Sequence, residues 1–304
     1  MRKKHQCRPQ KALGFVKLSP VISLTPADEK LISAKSKEEV FLRQLLKFQV
    51  PSPYHKPSSN AADFWVKPYL ELFRLIRHFG SLKFDELMLF GLQLVDFRQF
   101  ETIVEKIEQF RIAKAGNQGN YKSFKRECLK KELLSIYETE IKKGNTKTRE
   151  SRDGSADRFW RTKASNLHDY ADACIRYLRA TGLESISHIG RSLSIMPEKT
   201  TEVDFFLEKT DRNPCFIDNE IQYADYLGNA TLPTIQTDNK RDVVAKLKTE
   251  FPAISFNETA TIESMKRLFE RSNELVESCE NEQIWFEIMK QEALSWLSIK
   301  QTAQ

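Results

Sequence analysis

Residues 147–196 constrain this chain more than any other stretch. Phe159, Leu167, Tyr170, Ala171, Cys174, Ile175 and Leu178 recur at three- and four-residue intervals, which places them on one apolar stripe of an α-helix. Arg158, Arg161, Arg176 and Arg179 fall mostly off that stripe. Gly182 follows where a helix end favours a left-handed residue. Ile186, and then Leu193 and Ile195, flank His188-Ile-Gly190-Arg-Ser192, the pattern of a strand, a glycine-containing turn and a strand. Ahead of the helix runs the basic segment Lys147-Thr-Arg-Glu-Ser-Arg152.

A basic lead-in, an amphipathic helix and a two-stranded wing predict a winged-helix-like unit. Charge agrees with that reading. The chain carries a net +6, and residues 121–163 hold 13 Lys/Arg against 7 Asp/Glu while the rest balances. A second cluster, Arg2, Lys3, Lys4, Arg8 and Lys11, contains no acid. Such clusters neutralise phosphates. Phosphate contacts are expected from Lys122, Lys125, Arg126, Lys147, Arg149, Arg152, Arg158, Arg161 and Lys163. Base readout is expected from arginines at the helix start and from wing residues such as Arg191. Tyr121, Phe124, Phe159 and Trp160, interleaved with these charges, read as core rather than as stacking groups.

Composition excludes several classes. With 304 residues, 40% of them hydrophobic, the chain can bury sizeable cores in two or three modules. Thirty per cent charged residues and only 10 Gly describe a helix-rich protein. No apolar run approaches the roughly 18 residues of a membrane span, and no signal-peptide core follows Met1. Cys7, Cys128, Cys174, Cys215 and Cys279 are widely spaced with no C-x-x-C pair. A disulfide framework or zinc site is not expected, and a reducing cytoplasm, of a prokaryote or its phage, fits best.

Along the chain, Leu13–Leu18 and Val21–Leu24 read as two short strands. Thr25 then caps a helix with Pro26 in its first position and acids in its first turn. No helices precede this hairpin to cover Leu13, Phe15, Val16, Val21 and Ile22, so residues 1–34 are expected to be the remnant of a first winged-helix-like module. Ser36-Lys-Glu-Glu39 is a capping box for a helix running to Gln49, closed by Pro51 and Pro53. Tyr69, Leu72, Phe73, Ile76 and Phe79 form a stripe ended by Gly80. A short helix follows at Ser81–Phe90, and Asp96 opens a third striped by Phe97, Phe100, Ile103, Val104, Ile107 and Phe110. Residues 35–120 thus read as a helix-turn-helix-like module, 121–200 as the basic segment with its winged-helix-like module, and 201–304 as a helical linker. The fold class is mainly α with small β-hairpins: tandem winged-helix-like DNA-binding modules and a linker.

Four blocks carry a resemblance. Val40-Phe-Leu-Arg-Gln-Leu-Leu-Lys-Phe-Gln-Val-Pro-Ser52, Asp169-Tyr-Ala-Asp-Ala-Cys-Ile-Arg-Tyr-Leu-Arg-Ala-Thr-Gly-Leu183, Met196-Pro-Glu-Lys199 and Tyr226-Leu-Gly-Asn-Ala-Thr-Leu-Pro233 resemble, in order, blocks of type IIS restriction and nicking endonucleases typified by AlwI, PleI and MlyI. The resemblance implies a recognition region that binds a short asymmetric site in double-stranded DNA. It also implies a linker and a Mg²⁺-dependent PD-(D/E)xK nuclease domain cutting a few base pairs away. That nuclease domain is expected to lie outside this chain, supplied elsewhere, so no cofactor is expected within it.

A hidden nuclease site needs two carboxylates for the metal and a lysine for the attacking water. Glu140-Ile-Lys142 fits the tripeptide but sits in a basic helical stretch. Asp238-Asn-Lys240, twenty residues after Asp218, has polar neighbours where a core strand would be apolar. Both read as incidental, so no catalytic or metal-binding residue is assigned. The rival readings are a stand-alone winged-helix regulator or defence component that cuts nothing, and a helical interaction protein with no nucleic-acid role.

Overall fold

The computed structural model describes residues 8–18, 21–34, 37–54, 63–144, 146–147, 155–187, 191–233 and 235. Residues 1–233 form one compact unit and 234–304 a second. Every element below belongs to the first.

The unit is mostly helical with two small antiparallel sheets. It begins with α1 (Arg8–Ala12), then a hairpin of β1 (Val16–Lys17) and β2 (Ser23–Leu24) in which Val16 faces Leu24. α2 (Pro26–Ser33) starts as its sequence requires, with the Thr25 hydroxyl accepting from the Asp28 N–H. α3 (Lys37–Lys47) packs on α2 and on α4 (Pro68–Phe79). Gly80, at φ 70°, ends α4 in the left-handed region that its stripe predicts. α5 (Phe84–Leu89) follows. The Asp96 carboxylate caps a 3-10 turn that runs into α6 (Phe100–Gly116). α7 (Tyr121–Ile136) and α8 (Glu138–Lys142) lead to α9 (Ala156–Arg179). β3 (Glu184–Ser187) and β4 (Ser192–Ile195) form the second hairpin, with Ile186 opposite Leu193. α10 (Thr200–Lys209) and α11 (Glu220–Gly228) complete the unit.

The expected modules are joined rather than strung out. Leu82 and Leu193 exchange backbone hydrogen bonds, each 2.8 Å, so the loop between α4 and α5 adds a one-residue bridge to β4. α5 packs on α9, and α4 on β4. Segments 35–120 and 121–200 therefore share a core built on Leu70, Phe73, Ile76, Leu82, Leu87, Ala171 and Leu178, all fully buried. Nor does a linker begin at 201: Phe206 of α10 meets the Phe73 ring edge-on at 5.2 Å, and α11 packs on α2.

The first hairpin is also better covered than its sequence promises. Leu13 and Phe15 are buried, whereas Val21, Ile22 and Leu24 stay exposed. Phe15 stacks on Phe41 of α3 at 6.2 Å, and α11, some 200 positions away in sequence, closes on the hairpin at Gly14. A Cβ built on Gly14, whose φ is 76°, would lie 2.6 Å from Leu227 Cβ and 2.8 Å from its carbonyl carbon. Backbone meets backbone here, and the conformation itself disfavours a side chain. Gly14→Ala is expected to cost at least about 2 kcal/mol in urea unfolding; a change under a few tenths would show that this contact is not made.

Two of the sequence blocks turn out to be partners. The α3 block presents Arg43, Gln44, Lys47 and Gln49 inward, all nearly fully buried. Arg43 donates to the carbonyls of Thr231 and Pro233 at 2.7 and 2.6 Å. Gln44 donates to those of Leu13 and Leu227, both at 2.7 Å. Lys47 donates to Leu227 and Asn229. Gln49 both donates to the Cys215 carbonyl and accepts from its N–H. Buried carbonyls at a helix end and in a loop must find donors. The polar residues of block 40–52 supply them to block 226–233.

Candidate nucleic-acid interface

Among the described residues, α9 carries a long, largely exposed polar stripe. Arg158, Arg161, Ser165, Asp169, Asp172, Arg176 and Arg179 recur every three or four residues, a line about 32 Å long at 1.5 Å per residue. Its opposite side is buried through Phe159, Ala171, Ile175 and Leu178. The hairpin is tied to this stripe. Arg191, at φ 50°, donates to the Asp172 carboxylate and lies 4.2 Å over the Phe84 ring. Arg176 reaches the same carboxylate at 3.3 Å. The hydrogen bond from Arg191, with both guanidinium charges, holds the Asp172 carboxyl below the usual carboxylate range.

The ten residues expected to touch DNA divide into groups. Lys122, Arg126 and Lys147 are exposed. Arg158 and Arg161 are exposed too, though each already interacts with a neighbour. Three are engaged inside the fold: Lys125 pairs with Asp85 at 3.1 Å, Lys163 sits 4.3 Å over Tyr137, and Arg191 holds Asp172. Arg149 and Arg152 lie outside the described residues. Beyond those ten, Arg176, Arg179 and Lys130 are also exposed on α9 and α7. Continuing the three- and four-residue spacing from Arg161 and Arg126 reaches them. The aromatic residues are packed: Phe159 is buried, meeting Tyr137 and Trp160 at 5.6 and 5.5 Å, and Phe124 stacks on Phe110 at 5.6 Å.

The described residues do not fit the Mg²⁺ site that the resemblance implies. Among them no group of three or more His, Cys, Asp or Glu could hold a metal ion. Glu140 and Lys142 share the short helix α8, where Lys142 pairs with Glu138. Asp218 is exposed in a loop, and Asp238 and Lys240 lie outside the described residues. No described helix is long and apolar enough to cross a membrane.

The AlwI restriction endonuclease family matches this chain over residues 11–300. No curated protein matches it. Similar solved structures include one described as the crystal structure of pyrene- and phenanthrene-modified DNA in complex with the BpuJ1 endonuclease binding domain. That match has 15% identity and a TM-score of 0.47, over 75% of this chain and 79% of that one.

Proposed function

The chain belongs to the AlwI restriction endonuclease family, and on that premise we propose that residues 1–233 recognise a short site in double-stranded DNA for a type IIS enzyme. The Leu82–Leu193 backbone pair carries the reading. It supports reading helix α4, the bridge at Leu82, helix α5, helix α9 and hairpin β3–β4 as a winged helix with the segment between α5 and α9 inserted before its last helix. In such a unit that last helix enters the major groove. α9 would do so with its stripe of arginines and aspartates, Arg158, Arg161, Arg176 and Arg179 sharing the contacts to bases and phosphates. Arg191 anchors the wing rather than reading bases. Phosphodiester cleavage, in this reading, is the work of residues other than those described.

Titrating the full chain onto a labelled duplex by fluorescence anisotropy tests this. Binding is expected, and Arg176→Ala with Arg179→Ala is expected to weaken it on the preferred sequence by roughly ten- to a hundred-fold per base contact. Wild-type affinity in the double variant would remove α9 from the interface.

A further inference from the structure

We infer that α7 carries a second DNA-contacting surface, a line of cations that grips one phosphate strand without reading sequence. The inference rests on the DNA-binding reading above and adds a separate face to it. Lys122, Arg126 and Lys130 stand at i, i+4 and i+8, so they share one side of α7. They span about 12 Å along the helix axis. All three are exposed, and none makes an ion pair among the described residues.

The neighbouring cations make the contrast. Lys125, on the inner side of the same helix, is held by Asp85, and Tyr121 donates to that carboxylate as well. Lys106 of α6 is held by Glu132 at 3.1 Å, which also accepts from Gln93. Arg111 is bound to the buried Glu86 through two hydrogen bonds of 2.9 and 2.8 Å. The fold thus uses its acids here to neutralise the cations that packing requires, and leaves the outer line unneutralised. Glu127 is the one acid facing outward on α7.

The helix is a rigid support for such a line. Leu133 is buried, Phe124 stacks on Phe110, and α7 packs on both α5 and α9. Evenly spaced, unpaired cations on a fixed helix match the regular charge of a nucleic-acid backbone, where duplex DNA carries one charge per about 1.7 Å of axis. The contact is therefore to phosphate, and its contribution is the same on every sequence.

Binding of the full chain to a fluorescein-labelled duplex of arbitrary sequence, measured over a salt series, tests this. Each lost phosphate contact reduces the slope of log affinity against log salt by about 0.9. Replacing Lys122, Arg126 and Lys130 together by glutamine is expected to reduce it by about 2.7, so the gap between wild type and variant shrinks roughly 40-fold between about 50 and 200 mM salt. Arg126→Lys alone, which keeps the charge, is expected to leave the slope unchanged. The preference between two duplexes should also be unchanged in the triple variant. A triple variant with the wild-type slope, alongside a wild type that binds DNA, overturns the α7 surface and leaves the α9 reading standing. Loss of sequence preference would make the line a reader and overturn its proposed role. A wild type that binds no duplex overturns both readings.

Discussion

Glu71→Ala is expected to destabilise the protein by about 3 kcal/mol, because it removes the wholly buried counter-ion of two part-buried guanidinium groups, Arg212 and Arg74. Glu71 is wholly buried on α4. Its two oxygens accept from Nε and Nη2 of Arg212 at 2.8 and 2.7 Å, and Arg74 approaches at 3.7 Å. Arg212 in turn donates to the Phe97 carbonyl at 2.9 Å and lies over the rings of Phe97 and Phe100. The pair therefore ties the loop after α10 to α4 and to the start of α6, and its loss opens three elements together. The exposed pair Arg77–Asp204 is the contrast. Both side chains are nearly half exposed, and removing either is expected to cost under about 1 kcal/mol. Glu71→Leu with Arg212→Leu, which removes both charges and keeps apolar volume, should recover most of the loss. Denaturant unfolding of the single and double variants checks this; a cost below 1 kcal/mol for Glu71→Ala would mean that the pair is not buried.

The second large effect is a dependence on pH set by Lys47. Burial, and then the nearby charge of Arg43, lower its pKa from 10.5 to about 7. Between those values the unfolded chain keeps a proton that the folded chain gives up. The unfolded state then binds more protons, so unfolding free energy rises with pH through this window by up to about 1.4 kcal/mol per unit. Below the folded value both states are protonated and this contribution is flat. The nearby tyrosines act oppositely and later: burial raises Tyr54 to about 12 and moves Tyr223 and Tyr226 upward, so they lower stability only above their ordinary value of 10.0. The useful range is therefore about pH 7–9. Unfolding free energy should climb across it in the wild type, and Lys47→Met should reduce the climb, leaving the share of Lys67, which burial also lowers. An equal climb in both would assign it to another group.

The two effects also show what was legible in the sequence. Helices α4, α6 and α9 follow from apolar spacing, and Gly80 and Gly182 end theirs at positive φ as local chemistry requires. Partners distant in sequence were not legible. Lys125 and Arg191 look like free cations until folding brings Asp85 and Asp172 to them. Leu13 and Phe15 look uncovered because their cover comes from later elements, with Phe41 of α3 against Phe15 and Leu227 of α11 against Gly14. Val40–Ser52 stands out in the sequence only as a block that resembles a family, whereas Arg43, Gln44 and Lys47 bind carbonyls of the 227–233 segment, which no local pattern reveals. Sequence showed that the charge is concentrated between 121 and 163; only the fold separates its outward cations from those already neutralised.

Selection of duplexes from a randomised pool by the full chain tests the central claim most directly. If α9 and the β3–β4 wing form the recognition face, one short asymmetric motif should be enriched, and the Arg176→Ala, Arg179→Ala variant should lose preference at particular positions of it. A pool that stays random, or a motif unchanged in that variant, would contradict the claim that this helix reads DNA.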